Sequence, residues 1–337
     1  MDITKSLLDI SSIDSMSGCE DEITSYLKKI LKKYSNNITV TPKKSVILKL
    51  NENKAPLKIM LEAHLDCVGM VVSSITEKGF LKILNCGGID PRVVVNSEVR
   101  VLGKKTLKGF VFKNFKNDEK EKMKIEDLMV DVNLTEKEAK ELISVGDSIV
   151  YDYNPVILKN KKISTRFLDD KASIVAILLV LEKLKKQKLN CELSVVFNSQ
   201  EETTKVGAKT TAYQYKPDIA IAVDVTFSRT LNCEKDYLCE MGKGSPIGVA
   251  PILDRKLGER LMEIAEKNKI PYQIEVMNEE TSTNSDAIAP TRDGIKTALC
   301  SIPTKNMHTP VEVVEINDIE YTADIIYNFI ISTKEVI

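Results

Sequence analysis

Histidine is the scarcest chemistry-bearing residue of this chain: 337 residues carry only two, His64 and His308. A dominant charge is missing as well. Forty-eight lysines and arginines face 49 acids, a net charge of −1, which gives no field to attract nucleic acid or an anionic membrane. The N-terminal MDITKSLLDI lacks a basic segment followed by a long apolar one, and the longest apolar run, Ile174 to Leu181, is far short of the ~20 residues a membrane span needs. The expectation is an unexported, cytoplasmic protein with neither nucleic-acid nor membrane partners. The seven cysteines (19, 67, 86, 191, 233, 239 and 300) are odd in number and scattered, with no CxxC pair. That pattern suits buried or free thiols in a reducing compartment and argues against a structural zinc held by cysteines.

What is present reads as one large domain interrupted by a smaller one, since the length exceeds what most single cores need. Ile23, Leu27, Ile30 and Leu31 form a helical stripe within Glu20 to Tyr34, and a strand-like LKIML precedes AHLD. From about 70 to 160 come short β-branched runs broken by Gly, Asn and Asp: MVVSSI, FLKIL, GGIDPRVVV, SEVRVL and LKGFVF. A charged helix at 135–143 and VGDSIVYDY follow. Such spacing predicts a small β-rich barrel or sandwich. Strand and helix then alternate to the end, as in an α/β sheet. The predicted organisation is a discontinuous α/β domain of residues 1–69 and 160–337, with a β-rich insertion at 70–159.

Polar residues gather where apolar strands stop: His64 and Asp66 after LKIML, Glu201 and Glu202 after ELSVVFNSQ, Asp224 after IAIAV, and His308 after ALCSIP. Asp169 opens a predicted helix, where a carboxylate is favoured. Each alone has a plain explanation, as a turn residue, a helix cap or a solvated loop. Together, both histidines and the acids fall at element ends that an open α/β sheet brings to one crevice. Imidazole with carboxylate is ligand chemistry for zinc, cobalt or manganese. Two His, two Asp and one Glu are enough for two cations if one carboxylate bridges, a combination suited to hydrolysis. Of the adjacent Glu201 and Glu202, one can coordinate while the other handles the proton of the attacking water. Asp66 has the natural place to orient the His64 ring.

These residues lie in a series that resembles the dinuclear metallo-aminopeptidases, the family of glutamyl, deblocking and tetrahedral (TET) enzymes. The segments SGCEDEI, AHLDCVG, GGIDPRVV, VGDSIVY, RFLDDKAS, SQEETTKVGA, AIAVDVT, GKGSPIG, NSDAIAPTRDGI and SIPTKNMHTPVEVV occur in that family's order. The resemblance implies a mixed-sheet catalytic domain with an inserted PDZ-like β domain that serves oligomerisation, as a dimer or a tetrahedral dodecamer. It also implies two divalent ions, zinc or cobalt first and manganese next, acting on short peptides. By the same resemblance His64, Asp169 and Asp224 hold one ion, while His308, Glu202 and the bridging Asp169 hold the other. Glu201 is then the general base and Asp66 the carboxylate supporting His64.

The chain departs from the family's pattern at Cys67, where Glu is usual, at Lys171 and Ser173, where Arg and Gly are common, and at Lys305 and Asn306 before the last motif. Cys67 has three readings: a small packed side chain, an exposed thiolate, or a metal contact. Lys205, in the lengthened loop after the glutamate pair, adds a positive charge that could alter the pocket for the first substrate residue. Two rival functions stay open at this level. One is a hydrolase of another substrate, since relatives have carried endoglucanase labels; the other is an assembly subunit that has lost catalysis.

Overall fold

The computed structural model describes residues 1–52, 55–113, 123–230 and 239–333. Helices α1 (Ile3–Ser11) and α2 (Asp21–Leu31) lead into strands β1 (Ile38–Val40), β2 (Val46–Leu50) and β3 (Lys58–His64). The predicted stripe of α2 is its buried face, with Ile23, Leu27 and Leu31 inside and the lysines outside.

Six strands then close into a barrel: β4 (Gly69–Ile75), β5 (Leu81–Cys86), β6 (Glu98–Leu102), β7 (Thr106–Lys113), β8 (Leu128–Asp131) and β9 (Ser148–Tyr151). Their inward side chains form a core of their own around Val72, Ile83, Val101 and Val130. The run GGIDPRVVV, read above as a strand, instead holds one helical turn, α3 (Pro91–Val94). Pro91 presets the first helical φ, and the Asp90 carboxylate accepts the Arg92 N–H as a cap. The charged helix α4 (Glu136–Leu142) starts at a Thr135–Glu138 capping box.

The chain continues through the hairpin β10 (Val156–Leu158) and β11 (Lys162–Thr165), then α5 (Leu168–Leu184), β12 (Glu192–Asn198), α6 (Val206–Tyr215) and β13 (Ile219–Phe227). It ends with β14 (Ser245–Val249), α7 (Arg255–Asn268), β15 (Tyr272–Val276), α8 (Ser285–Ile288), β16 (Lys296–Thr304), β17 (Glu312–Glu315) and α9 (Ile316–Ile331). The main sheet has eight strands in the order β1-β2-β12-β3-β13-β16-β14-β15. β12, β3, β13 and β16 run parallel to their neighbours in that group. These strands are covered on both faces, so they read as continuous apolar runs without alternation. Helix α5 is apolar nearly all round for the same reason: it packs on β3 and β13 and against α9.

Six cysteines lie among the described residues, and all are free thiols; Cys233 lies outside them. No described helix is long and apolar enough to cross a membrane.

Candidate metal centre

Because β3, β12, β13 and β16 are parallel, their carboxyl ends share one edge of the sheet. His64 is the last residue of β3, Glu201 and Glu202 lie just beyond β12, and His308 lies just beyond β16. Asp224 differs from its expected place at a strand end. β13 continues to Phe227, so Asp224 sits within the strand, in register with Ser301 of β16.

Asp169 comes from behind, at the start of α5. The expectation that it opens a regular helix needs correction: Asp169 (ψ 104°) and Asp170 (φ −115°) are both non-helical, and regular geometry starts after them. Their polar groups are drawn elsewhere. The Asp169 N–H donates to Glu312 Oε2 at 3.0 Å, and Asp170 Oδ2 accepts the His64 N–H at 3.1 Å.

The Asp169 carboxylate is shared between the two histidines. Oδ1 is 3.0 Å from His64 Nε2, and Oδ2 is 3.1 Å from His308 Nε2. Asp224 Oδ1 is 3.8 Å from His64 Nε2 on one side, and Glu202 Oε2 is 3.3 Å from His308 Nε2 on the other. Asp170, the neighbour of Asp169, also has an oxygen within 4.8 Å of ligand atoms on His64 and Asp224.

Both rings are oriented alike. His64 Nδ1 faces the Asp66 carbonyl at 3.1 Å, and His308 Nδ1 faces the Gly88 carbonyl at 2.6 Å. A carbonyl can only accept, so Nδ1 carries the proton and Nε2 is the ring atom available to a cation. The Asp66 carboxylate lies 3.6 Å from His64 Nδ1, but its hydrogen bonds go to the backbone N–H groups of Glu201 at 2.9 Å and Glu202 at 3.2 Å. Asp66 therefore fixes the glutamate pair directly and the imidazole through its own carbonyl.

Electrostatics express the crowding of acids out of water. Burial, then the neighbouring carboxylates, push Glu201 up to about 9 and raise Glu202 and Asp224 as well. Burial also acts to raise Asp169, but hydrogen bonds from His308 and His64 outweigh it and hold this carboxyl well below its ordinary value. Burial opposes protonation of His308, yet Asp169 and Glu202 raise it to about 12. The set fits a divalent cation pair chemically: two imidazoles converge on one shared carboxylate, each with a further carboxylate of its own, and the buried Glu201 Oε1 accepts no hydrogen bond.

Two acids that received no role from sequence hold this frame. Glu312 Oε1 accepts the His308 N–H at 2.7 Å while Oε2 takes the Asp169 N–H, so one buried side chain ties both ligand segments. Glu62, buried beneath the cluster, accepts from Asn198 and Asn284, and burial pushes it up to about 7. The signal for Glu62 was a single acid within the apolar strand IMLEAH; Glu312 opens the short strand EVVE, where Glu315 made it look like one of two ordinary strand-end acids. Of the readings for Cys67, packing is what the structure shows. It is 1% exposed, within the barrel-side core, and burial raises its thiol to about 12. Lys171 is also fully buried, donating to Ser15 Oγ and to the Leu65 carbonyl. Ser15 Oγ in turn reaches Cys67 Sγ, so two departures from the family's pattern meet at one hydroxyl.

The sequence profile of the M42 glutamyl aminopeptidases matches residues 44–325. The chain belongs to this family. Over 302 residues it is 27% identical to a lysyl aminopeptidase of Pyrococcus furiosus, covering 87% of this chain and 86% of that one. Among solved structures, an aminopeptidase from the archaeon Desulfurococcus kamchatkensis superposes with a TM-score of 0.92 at 29% identity, over 98% of this chain and 94% of the other. The Pyrococcus horikoshii TET1 peptidase, which can assemble into a tetrahedron or a large octahedral shell, gives a TM-score of 0.86 at 29% identity over 98% and 99%. The M42 assignment makes this protein an aminopeptidase, with the mixed sheet that the resemblance implied and the small β barrel that the strand spacing allowed.

Proposed function

We propose that this aminopeptidase removes N-terminal residues from short peptides with two divalent cations, zinc or cobalt first and manganese next. His64, Asp169 and Asp224 would hold one, and His308, Glu202 and the shared Asp169 the other. The observation that carries this reading is the split of the Asp169 carboxylate between two Nε2 atoms, at 3.0 and 3.1 Å. Bound there, the cations would polarise the scissile carbonyl and make water a better nucleophile near neutral pH.

The chain's own residues supply the rest. Glu201, 7% exposed on a turn pinned by Asp66, is placed to take a proton from the attacking water and return it to the leaving amine. Glu202, its neighbour on the same turn, is directed to His308 instead. The cavity in front of these residues measures about 360 Å³, which suits a terminal residue rather than a folded chain. Glycosidases of the common kind work with two carboxyl groups and leave the imidazoles without a task.

Assembly as a homo-oligomer, a dimer or tetrahedral dodecamer built through residues 70–159, is supported by the TET1 likeness. Val156, Ile157 and Leu158 of β10 are 50%, 67% and 42% exposed, an apolar strand suited to burial against another copy.

Metal analysis together with hydrolysis of aminoacyl p-nitroanilides, with and without chelator, tests the catalytic reading. Two equivalents of metal and chelator-sensitive hydrolysis are expected. No hydrolysis after loading with zinc, cobalt or manganese overturns it.

A further inference from the structure

The geometry points to Glu275 as the residue that selects a basic side chain, lysine or arginine, at the substrate's N-terminus. This inference rests on the aminopeptidase reading and names its substrate class.

Glu275 lies on β15, the edge strand, and lines the same cavity as His64, Asp224 and His308. One carboxylate oxygen accepts from Thr226 Oγ1 and the other from Ser301 Oγ at 2.8 Å. Both partners belong to the face that carries the metal centre. Thr226 is two residues from Asp224 on β13, hence on the same side of the strand, and Ser301 is in register with Asp224. β14 separates β15 from β16, and its residue paired with Glu275 is Gly248. A Cβ there would come within 3.1 Å of Leu299 Cβ. The glycine thus lets β14 lie close against Leu299 and Met277 of the cavity wall.

Two neutral hydroxyls position this carboxylate without cancelling its charge. Among the described residues no lysine, arginine or histidine pairs with it, and no lysine or arginine lines the cavity. Lys205, the one cation expected to influence the pocket, lies outside the cavity lining and pairs with Asp286 at 3.0 Å, within 3.8 Å of Glu201, and not with Glu275. Burial raises Glu275 while the Thr226 and Ser301 hydrogen bonds act against it, so a cation brought beside the carboxylate would offset the cost of burying its charge. Among the described residues, the one acid lining the cavity besides Glu275 and the metal-centre cluster is the exposed Glu280. Phe227, Met277, Leu299 and Met307 supply apolar wall. A methylene stem along that wall with a cationic tip at Glu275 matches lysine or arginine, because long basic side chains bury their stems and need the head satisfied. An acidic first residue would meet an unscreened carboxylate.

The experiment compares lysine and norleucine, which share the stem and differ in the ammonium. With metal-loaded full-length protein, kcat/KM for lysine p-nitroanilide is expected to exceed that for norleucine p-nitroanilide at least 10-fold, mainly through KM. Glu275→Gln should lower that ratio about 10-fold or more. Equal rates for the two substrates, or a ratio unmoved in a Glu275→Gln protein with an intact unfolding transition, overturn the inference. Calorimetric titration of the wild type with lysinamide and norleucinamide needs neither variant nor turnover: tighter lysinamide binding supports the assignment and equal binding sinks it. Preferential lysinamide binding without hydrolysis of any anilide would count against the aminopeptidase reading alone.

Discussion

Asp66 accepts the backbone N–H of Glu201 at 2.9 Å, and through its other oxygen that of Glu202 at 3.2 Å. One buried carboxylate thus sets the turn on which proposed base and proposed ligand diverge. Asp66→Asn can accept only one of these bonds and turns an amide N–H toward the other donor. Turnover is expected to fall roughly 10-fold to 100-fold, in the range typical of lost ligand support, with KM nearly unchanged; steady-state kinetics on metal-analysed protein reads this.

Glu201→Gln separates the two glutamates. It should keep both metals while kcat drops on the order of 10²–10⁴, the usual worth of general acid–base catalysis. His308→Ala should lose bound metal itself. Equal metal loss in the two variants would mean that the adjacent roles have been exchanged.

Glu312→Gln leaves either the His308 N–H or the Asp169 N–H without its acceptor. Metal affinity should weaken about 10-fold to 100-fold, with folded stability lower by roughly 1–3 kcal/mol for the unpaired buried donor. Competition with a chromogenic chelator measures the first and urea unfolding the second.

Asp318 gives a pH dependence away from the metal centre. Its carboxylate caps the Gly242 and Gly244 N–H groups, at 2.6 and 2.9 Å, yet burial pushes it up to about 6. The folded state holds this proton more tightly than the unfolded chain, whose aspartates titrate near ~4. Its contribution is therefore complete below about pH 4 and is lost as pH rises through about 6. Relative to Asp318→Asn, the wild type should lose roughly 2–3 kcal/mol between those limits. Paired urea titrations at pH 4 and 7 check the sign.

Thiol labelling distinguishes Cys67 from the surface. Cys19 is exposed and should react promptly with an aromatic disulfide reagent, whereas Cys67, fully buried with its thiol raised, should react only after unfolding. Rapid labelling of Cys67 in native protein, located by peptide mapping, would contradict its place in the core.

Much of the site was legible because its chemistry is rare. Two histidines, each just past an apolar run, could be placed at strand ends from order alone, and a parallel sheet brings such ends together. Glu312 and Glu62 were not legible in the same way. They act by accepting backbone or amide N–H groups across long sequence separations, and an acid in a strand does not announce its partner. Asp224 was misplaced because an apolar run gives out at the first charge, whereas the strand continues through it to Phe227 with the buried carboxylate facing the ligand cluster. GGIDPRVVV misled for a different reason: its β-branched composition outweighed an Asp-Pro pair that starts a helical turn. Sheet order and the route from Glu275 to Ser301 depend on register across β14, which no local pattern encodes.

The carbonyl that orients His308 belongs to Gly88, and the Tyr151 hydroxyl donates to the His308 carbonyl at 3.2 Å. Both come from the segment that builds the barrel, and the histidine they hold, one by its ring and the other by its backbone, follows β16 of the sheet. The insertion is thus no detachable cassette. An exchange of barrels between relatives would have to carry over this pair of contacts, or the graft would arrive with one imidazole free to turn.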